Sequence, residues 1–376
     1  MYIIYLMKKN ISLYKPKLGN FEKKFVNECL NSNWISSRGK FIKLFENKFK
    51  NYTKIQNCIS VTNGTCGLHL ALRSLNIGKN DEVIVPSFTY VATVNCIDYV
   101  SAKPVFVDVN LSNWQLSIDQ IEKKITKKTK ALIVPHLYGN VCDIDALLRI
   151  KKKYKLFLVE DCAEAIGSFY NNKHVGNFGD VSVFSFFGSK TITTGEGGMV
   201  CTNNRTLAKK IIKLKGQGLK TNKSKQYYWH DVVGYNYRMT NICAAIGFAQ
   251  MMNLKEILKN KKIIYNYYKK KLINDNIIFP KTINKVVNSH WLVVFRLKQK
   301  NLRNKLIKFL QKRNIETRPT FYLINEMNMY KKKMSLLNSK KISNDGICLP
   351  SYPTISNKEL KYVIEKINLF LKKYAK

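Results

Sequence analysis

Several patterns are missing from this sequence, and each absence excludes a class of protein. Its nine cysteines include no pair with CxxC spacing and its five histidines form no HExxH motif, so the sequence predicts no metal site. No window is long and apolar enough to cross a bilayer, and the apolar stretch at residues 1–7 is too short for a signal peptide. We therefore expect reduced thiols, a cytoplasmic location and no membrane partner.

Acidic residues are also scarce, because 24 Asp and Glu stand against 65 Lys and Arg, which gives a formal charge of +41. Such a charge attracts nucleic-acid phosphates without regard to sequence. The excess is mostly lysine, however, spread along helical segments such as residues 150–155 and 254–271, with no arginine cluster or basic tail. This pattern is typical of an AT-rich genome, and we expect no nucleic-acid partner. A basic binding module without catalysis remains the alternative function class.

The most informative segment is residues 184–198, FSFFGSKTITTGEGG, where one lysine lies between a polar strand end and a glycine-rich turn. A lysine that forms a Schiff base with pyridoxal phosphate needs a rigid backbone, with hydroxyls and amides nearby to hold the phosphate and the ring. Lys190 is therefore the candidate for covalent chemistry. Taken alone, the segment would equally suit a surface lysine beside a turn.

Two segments upstream support the catalytic interpretation. Residues 157–168 form an apolar run that ends in acidic residues, as a buried parallel strand does at its carboxyl edge, where ligands of α/β sheets bind. Asp161 at that edge could pair with the pyridine nitrogen and keep it protonated. Residues 59–72 indicate a strand, a turn at Gly64 and a helix whose N-terminal amides could bind a phosphate. Each signal is weak alone, but their order along the chain is specific.

The hydrophobic pattern predicts an α/β fold with a mostly parallel sheet in a large domain, followed by a smaller C-terminal α+β domain. We place the large domain, with an N-terminal segment, at residues 1–250 and the small one at residues 251–376. The pattern also predicts a long helix at residues 241–271 and a surface loop at residues 331–344. The predicted strands of the large domain are residues 58–62, 82–86, 104–109, 131–135, 157–161, 181–185 and 199–202.

Together with residues 34–42 and 81–90, these motifs resemble the DegT/DnrJ/EryC1 family, pyridoxal-phosphate aminotransferases of fold type I that act on nucleotide-linked keto-sugars. The resemblance covers nearly the whole chain. Residues 216–219, 228–241 and 316–322 are most similar to the branch that aminates C4 of GDP-4-keto-6-deoxymannose. The resemblance thus implies a transferase for this keto-sugar with L-glutamate as donor, serving O-antigen synthesis. A UDP- or dTDP-linked 4-keto-6-deoxy sugar is the alternative substrate.

The resemblance also implies roles for matching residues. Lys190 would hold the cofactor and shuttle protons, and Asp161 would pair with its ring nitrogen. Asn236 would reach the phosphate in the neighbouring subunit, which implies a homodimer with shared sites. The implied cofactor-binding residues are Gly64, Thr65, Cys66, Tyr90, Asp161, Glu164, Ser185, Lys190 and Asn236. The implied substrate-binding residues are Arg238, Arg318 and Tyr322.

Four of these positions carry an open question. Tyr90 would stack on the cofactor ring, with ordinary core packing as the alternative. Arg318 would grip the diphosphate, with a structural ion pair as the alternative. Glu164 stands where many family members have Gln, so its carboxyl is either protonated or turned toward an amide or a cation. Lys190 itself argues for amination, since a sister group with His at this position acts as a 3-dehydratase.

Overall fold

The structure is a computed structural model that describes residues 10–220 and 228–374. The apolar stretch at residues 1–7, whose length excluded a signal peptide, lies outside the described residues. No helix of the described ranges combines the length and the apolarity that a membrane span requires.

Alternating strands and helices build the large domain, and shorter strands follow in the C-terminal part. The strands are β1 (Asn57–Val61), β2 (Glu82–Pro86), β3 (Lys103–Val107), β4 (Thr129–Pro135), β5 (Phe157–Asp161), β6 (Phe169–Tyr170), β7 (Lys173–His174), β8 (Val181–Ser185), β9 (Gly198–Thr202), β10 (Ile277–Ile278), β11 (Val286–Val287), β12 (Val293–Leu297), β13 (Arg318–Pro319) and β14 (Gly346–Leu349). The α-helices are α1 (Asn20–Asn31), α2 (Lys40–Thr53), α3 (Gly64–Ser74), α4 (Ala92–Tyr99), α5 (Ile118–Ile121), α6 (Ile144–Tyr154), α7 (Arg205–Lys215), α8 (Asn241–Lys271), α9 (Leu302–Gln311), α10 (Leu337–Asp345) and α11 (Asn357–Tyr374). Single 3₁₀ turns lie at Glu122–Lys124, Leu137–Gly139, Ile324–Glu326 and Asn328–Tyr330.

The central sheet has seven strands in the order β1-β9-β8-β5-β4-β2-β3. The pairs from β8 through β3 are parallel, whereas β9 runs antiparallel to both of its neighbours. The predicted mostly parallel sheet is therefore confirmed, and each predicted strand lies within two residues of an observed one. Because parallel strands share one carboxyl edge, the segments that follow β4, β5 and β8 meet there.

Helices cover both faces of this sheet, as their apolar stripes predict. Helix α2 shows the pattern clearly, since Phe41, Phe45 and Phe49 recur every four residues and are all buried. They pack with apolar side chains of α6 and α8 in one core cluster. Helices α3, α4 and α7 contribute to a second cluster on the opposite face.

The C-terminal part is built on a four-stranded antiparallel sheet in the order β10-β12-β14-β13, which packs against α9 and α11. Helix α8 leads into it and has the predicted bounds. The predicted division at residue 250 falls inside this unbroken helix, and the boundary stays a prediction. The N-terminal segment also contacts this part, because Ile11 bridges to Ile315.

One prediction in this part was wrong over its second half. Residues 331–344 were expected to form a surface loop, and residues 331–336 have no regular secondary structure, but α10 occupies Leu337–Asp345. Its lysines and asparagines concealed two buried positions, since Ile342 enters the core and Ser339 donates its backbone N–H to Asp108 at 2.7 Å. A helix thus forms because one face of this polar segment has partners in the large domain.

Candidate active site

A cavity of about 660 Å³ opens at the carboxyl edge of the central sheet. Its walls come from the N-terminus of α3, the loops after β2, β4, β5 and β8, the N-terminal segment and the small domain. The predicted site residues that line it are Gly64, Thr65, Tyr90, Asp161, Glu164, Ser185, Lys190 and Arg318. The fold therefore brings together groups that are up to about 250 positions apart in the sequence.

Lys190 follows β8 in a tight turn, in which its amide donates to the carbonyl of Phe187 at 2.9 Å. Its side chain is 13% exposed, and Nζ lies 4.2 Å from the centroid of the Trp291 ring. The indole Nε1 of Trp291 donates to the carbonyl of Ser189 at 2.8 Å, and the hydroxyl of Tyr14 donates to the carbonyl of Lys190. The backbone on both sides of the lysine is thus held in place.

Asp161 ends β5 and is 6% exposed. Its Oδ2 accepts from the Thr93 hydroxyl at 2.7 Å and its Oδ1 from the Ala163 amide at 3.1 Å. Burial raises the pKa of Asp161, while these bonds and the positive charge of Lys190 oppose the rise. A protonated ring nitrogen in the cavity would offset the cost of desolvation, so this carboxyl suits the predicted cofactor.

Glu164, which stands where many family members have Gln, contacts both a backbone amide and a cation, and its pKa is also raised. Its Oε2 accepts from the amide of Tyr138 at 2.8 Å, and its Oε1 lies 3.4 Å from Nζ of Lys190. Burial raises the pKa of Glu164 to about 7, although Lys190 and the Tyr138 amide act in the opposite direction. The carboxyl therefore changes its protonation state near neutral pH.

The N-terminus of α3 offers a phosphate site. Asn63 caps the helix by accepting from the Cys66 amide at 2.8 Å, so the contact predicted for Cys66 would have to share this amide. The amides of Gly64 and Thr65 lie in the first turn, where the helix supplies no acceptor. A Cβ added to Gly64 would lie 3.0 Å from Cβ of Ser185, so this turn touches the end of β8. The two amides and the serine form a cradle that fits a phosphate.

Four of the predicted residues, Cys66, Asn236, Arg238 and Tyr322, are absent from the cavity lining, whereas Tyr90 and Arg318 belong to it. Tyr90 is 57% exposed at the cavity wall, so it does not pack in the core, and Tyr322 is 56% exposed outside the lining. Asn236 is exposed and accepts from Nε of Arg238 at 3.1 Å, and neither residue lines the cavity. Arg318 lines it and also pairs with Glu316 at 3.1 Å, so the ion-pair alternative is present.

Sequence reasoning missed the aromatic wall. The rings of Trp291 and Phe321 stack on either side of Tyr138, with centroid distances of 6.0 and 5.3 Å. Trp291 lies two residues before β12, and Tyr138 lies in a 3₁₀ turn with φ of 58°. Thr93, the partner of Asp161, was missed as well. A polar residue early in the helix after β2 was the only signal for it.

A buried polar group lies next to the site, and its histidine, His136, lines the cavity. Nε2 of His136 lies 3.1 Å from Oε2 of Glu160, and Glu160 also accepts from the amides of Gly176, Phe178 and Gly179. These bonds lower the pKa of Glu160 despite its burial. Within the described ranges, His136, Glu160 and Cys162 are the one grouping with the spacing of metal ligands. His69 lies elsewhere, 3.1 Å from the hydroxyl of Tyr237.

Comparison with known proteins agrees with this geometry. Residues 16–368 match the DegT/DnrJ/EryC1/StrS aminotransferase family. The chain is 48% identical to the GDP-perosamine synthase of Escherichia coli O157:H7 over 366 residues, 96% of this chain and 99% of that protein. It is 44% identical to the GDP-perosamine synthase of Vibrio cholerae, over 94% of this chain and 97% of that protein. The PMP form of the putative sugar aminotransferase Spr1654 from Streptococcus pneumoniae superimposes with a TM-score of 0.92 at 28% identity, covering 97% of this chain and 100% of that one.

Proposed function

Because the chain belongs to the DegT/DnrJ/EryC1/StrS aminotransferase family, we propose that it transfers the amino group of L-glutamate to C4 of GDP-4-keto-6-deoxymannose. The products are GDP-perosamine and 2-oxoglutarate, and the pathway is surface polysaccharide synthesis. Sequence identities of 48% and 44% to two GDP-perosamine synthases, over nearly the full length of each protein, support the reaction. The observation that carries it is the amine of Lys190, whose side chain is 13% exposed and shares one cavity with Asp161 and the first amides of α3.

Pyridoxal phosphate is the cofactor, and when bound it supplies an electron sink for carbanion chemistry. The amides of Gly64 and Thr65, with Ser185, would bind its phosphate. Asp161 would keep the ring nitrogen protonated, and the bond from Thr93 fixes the orientation of this carboxyl. Nζ of Lys190 would hold the cofactor, and the same amine would serve as the base for the α-proton of glutamate and as the proton donor for C4 of the sugar.

Glu164 controls the charge beside this lysine. With a pKa near 7, its carboxyl is neutral on the acidic side and can donate a hydrogen bond to the phenolic oxygen of the cofactor. When ionised, it accepts from Tyr138 and Lys190 instead. Tyr90 and the ring of Trp291 keep water away from the amine.

Shared sites in a homodimer are the second part of the proposal. The strip of residues 228–238 leaves large apolar side chains in water, with Tyr228 89% exposed and Val233 82% exposed. Apolar groups of this size in solvent mark an interaction surface. Asn236 and Arg238 lie in the same strip, so a second copy docked on it would receive both residues near its own cavity.

Arg318 is the residue we assign to the diphosphate. Its side chain is 68% exposed at the cavity wall, and its partner Glu316 can be exchanged for an anionic ligand. The high positive charge of the chain would help to attract such a substrate. We place the reaction in the cytoplasm, where the nine unpaired cysteines stay reduced.

The proposal is tested by measuring kcat/KM for GDP-4-keto-6-deoxymannose and for its UDP- and dTDP-linked counterparts, each with L-glutamate. We expect the GDP sugar to be preferred. A preference for another nucleotide would contradict the substrate and leave the aminotransferase in place. No amination of any of the three would favour the basic binding module.

A further inference from the structure

Lys261 is a lysine in the interior of the protein. Its side chain lies in the second half of α8 and the residue is 1% exposed. Within the described residues it forms no salt bridge, and Nζ instead donates to the carbonyls of Trp291 at 2.8 Å and Ser351 at 3.3 Å. Burial disfavours the charged form of this amine and lowers the pKa of Lys261 to about 7, so the retention of a lysine here calls for a physical reason.

The contacts of Lys261 lead to the backbone that carries Lys190 by two routes. The first passes through Trp291, whose carbonyl accepts from Lys261 and whose Nε1 donates to the carbonyl of Ser189. The second passes through Tyr14, because Nζ of Lys261 lies 5.0 Å from the centroid of its ring and its hydroxyl donates to the carbonyl of Lys190. Both routes end on adjacent carbonyls at the catalytic turn.

Ser351 joins the same network from the small domain. Its amide donates to the carbonyl of Leu13 at 3.3 Å, and its Oγ accepts from the amide of Val293 at 3.1 Å. Three chain segments therefore meet at one amino group: the N-terminal segment, the residues just before β12 and the segment after β14. Burial lowers the pKa of Lys261 to about 7, and in either protonation state the amine has enough donors for both carbonyls while its long stem reaches the Tyr14 ring.

We infer that Lys261 is a positioning residue for transamination, which holds Trp291 and Tyr14 in register and thereby fixes the backbone of Lys190. The inference rests on the proposed function. Lys261 does not reach the cavity itself, so its effect on the reaction passes entirely through these two aromatic residues. A small displacement of a reacting group is enough to slow an enzymatic step strongly.

The test uses the holoenzyme and the single-turnover reaction with L-glutamate, followed by the absorbance of the bound cofactor. Lys261→Met removes the donors and keeps an unbranched side chain that is one atom shorter. We expect the rate to fall by about 10- to 100-fold, with KM for glutamate changed less than about twofold. Lys262→Met is the matched control, since the neighbouring lysine is exposed on the same helix, and its rate should equal that of the wild type.

A second readout does not depend on turnover. Hydrogen exchange of the amides in residues 186–194 should be several-fold faster in Lys261→Met than in the wild type or in Lys262→Met. In a double-mutant cycle with Tyr14→Phe, the two rate effects should be less than additive, because both substitutions release the same turn. Lys261→Gln keeps a donor and should recover part of the rate.

Wild-type rate and exchange in folded Lys261→Met would overturn the inference, and so would full additivity with Tyr14→Phe. If Lys261→Met does not fold, Lys261→Gln and Tyr14→Phe decide, and unchanged exchange in both would overturn it. If the wild type does not react with glutamate, the proposed function is contradicted. The hydrogen-exchange measurement on Lys190 and its neighbours needs no turnover, so it still tests the inference separately.

Discussion

The amine of Lys190 lies 3.4 Å from Oε1 of Glu164, and their side chains are 13% and 6% exposed. Because both groups are largely shielded from water, their electrostatic interaction is strong. The two groups also have different chemical roles, since Lys190 can form a covalent bond and Glu164 can only exchange a proton. Each member of the pair therefore predicts a different experiment.

Lys190→Ala should abolish turnover, because no other group in the cavity can attach the cofactor and carry protons. Borohydride treatment of the wild type should fix the cofactor on the peptide that contains Lys190, as read by mass spectrometry. Lys15→Ala is a suitable control, since that lysine is exposed in the N-terminal segment. An adduct on any other lysine would contradict the assignment.

Glu164→Gln should remove the contribution of Glu164 to the pH dependence of the free energy of unfolding. The folded pKa of Glu164, about 7, lies above its ordinary value of 4.5, so the stability it contributes is complete below pH 4.5 and is lost as pH rises through 7. At one pKa unit per 1.36 kcal/mol, the loss is about 3 kcal/mol in the free energy of unfolding. Urea unfolding of the cofactor-free protein at pH 5 and pH 8 should show the variant gaining relative to the wild type at pH 8. A difference that does not change with pH would refute the assignment.

Asp161→Asn should keep the fold and bind the cofactor, but lower the rate on the order of a hundredfold, because an amide does not stabilise the charged ring nitrogen. Thr93→Val removes one hydrogen bond to Asp161 and should cost about tenfold. Single-turnover kinetics with glutamate measure both changes. Equal rates for Asp161→Asn and the wild type would exclude the pairing with the ring.

Mixing inactive Lys190→Ala with Asn236→Ala should restore activity if the site is shared. In a mixed dimer, one of the two sites then carries both wild-type residues. Random exchange makes half of the dimers mixed, so about a quarter of the wild-type rate is expected. Native mass spectrometry must first confirm the exchange. A mixture that stays inactive after this confirmation would argue for sites that are complete within one chain.

The sequence predicted those parts of the molecule that local pattern determines. Strand β5 and helix α8 could be located because their apolar residues follow a regular period, and Lys190 because a strand end and glycines surround it. Trp291 could not be assigned, since its contact with Lys190 joins residues about one hundred positions apart. Lys261 was hidden in the same way, because only tertiary packing distinguishes it from the many exposed lysines of this chain.

Helix α8 determines the crossover point at which two proteins of this family could be joined into a functional chimera. Its first half packs on the large domain through Leu254 and Ile257, and its second half packs on the small domain through Ile264 and Tyr268. The crossover that keeps each half with its own partners therefore lies inside the helix, between residues 257 and 261. It tolerates no inserted residue, because one extra position would rotate the second half by about 100°. The N-terminal segment should come from the parent that supplies the small domain, since Ile11 bridges to Ile315.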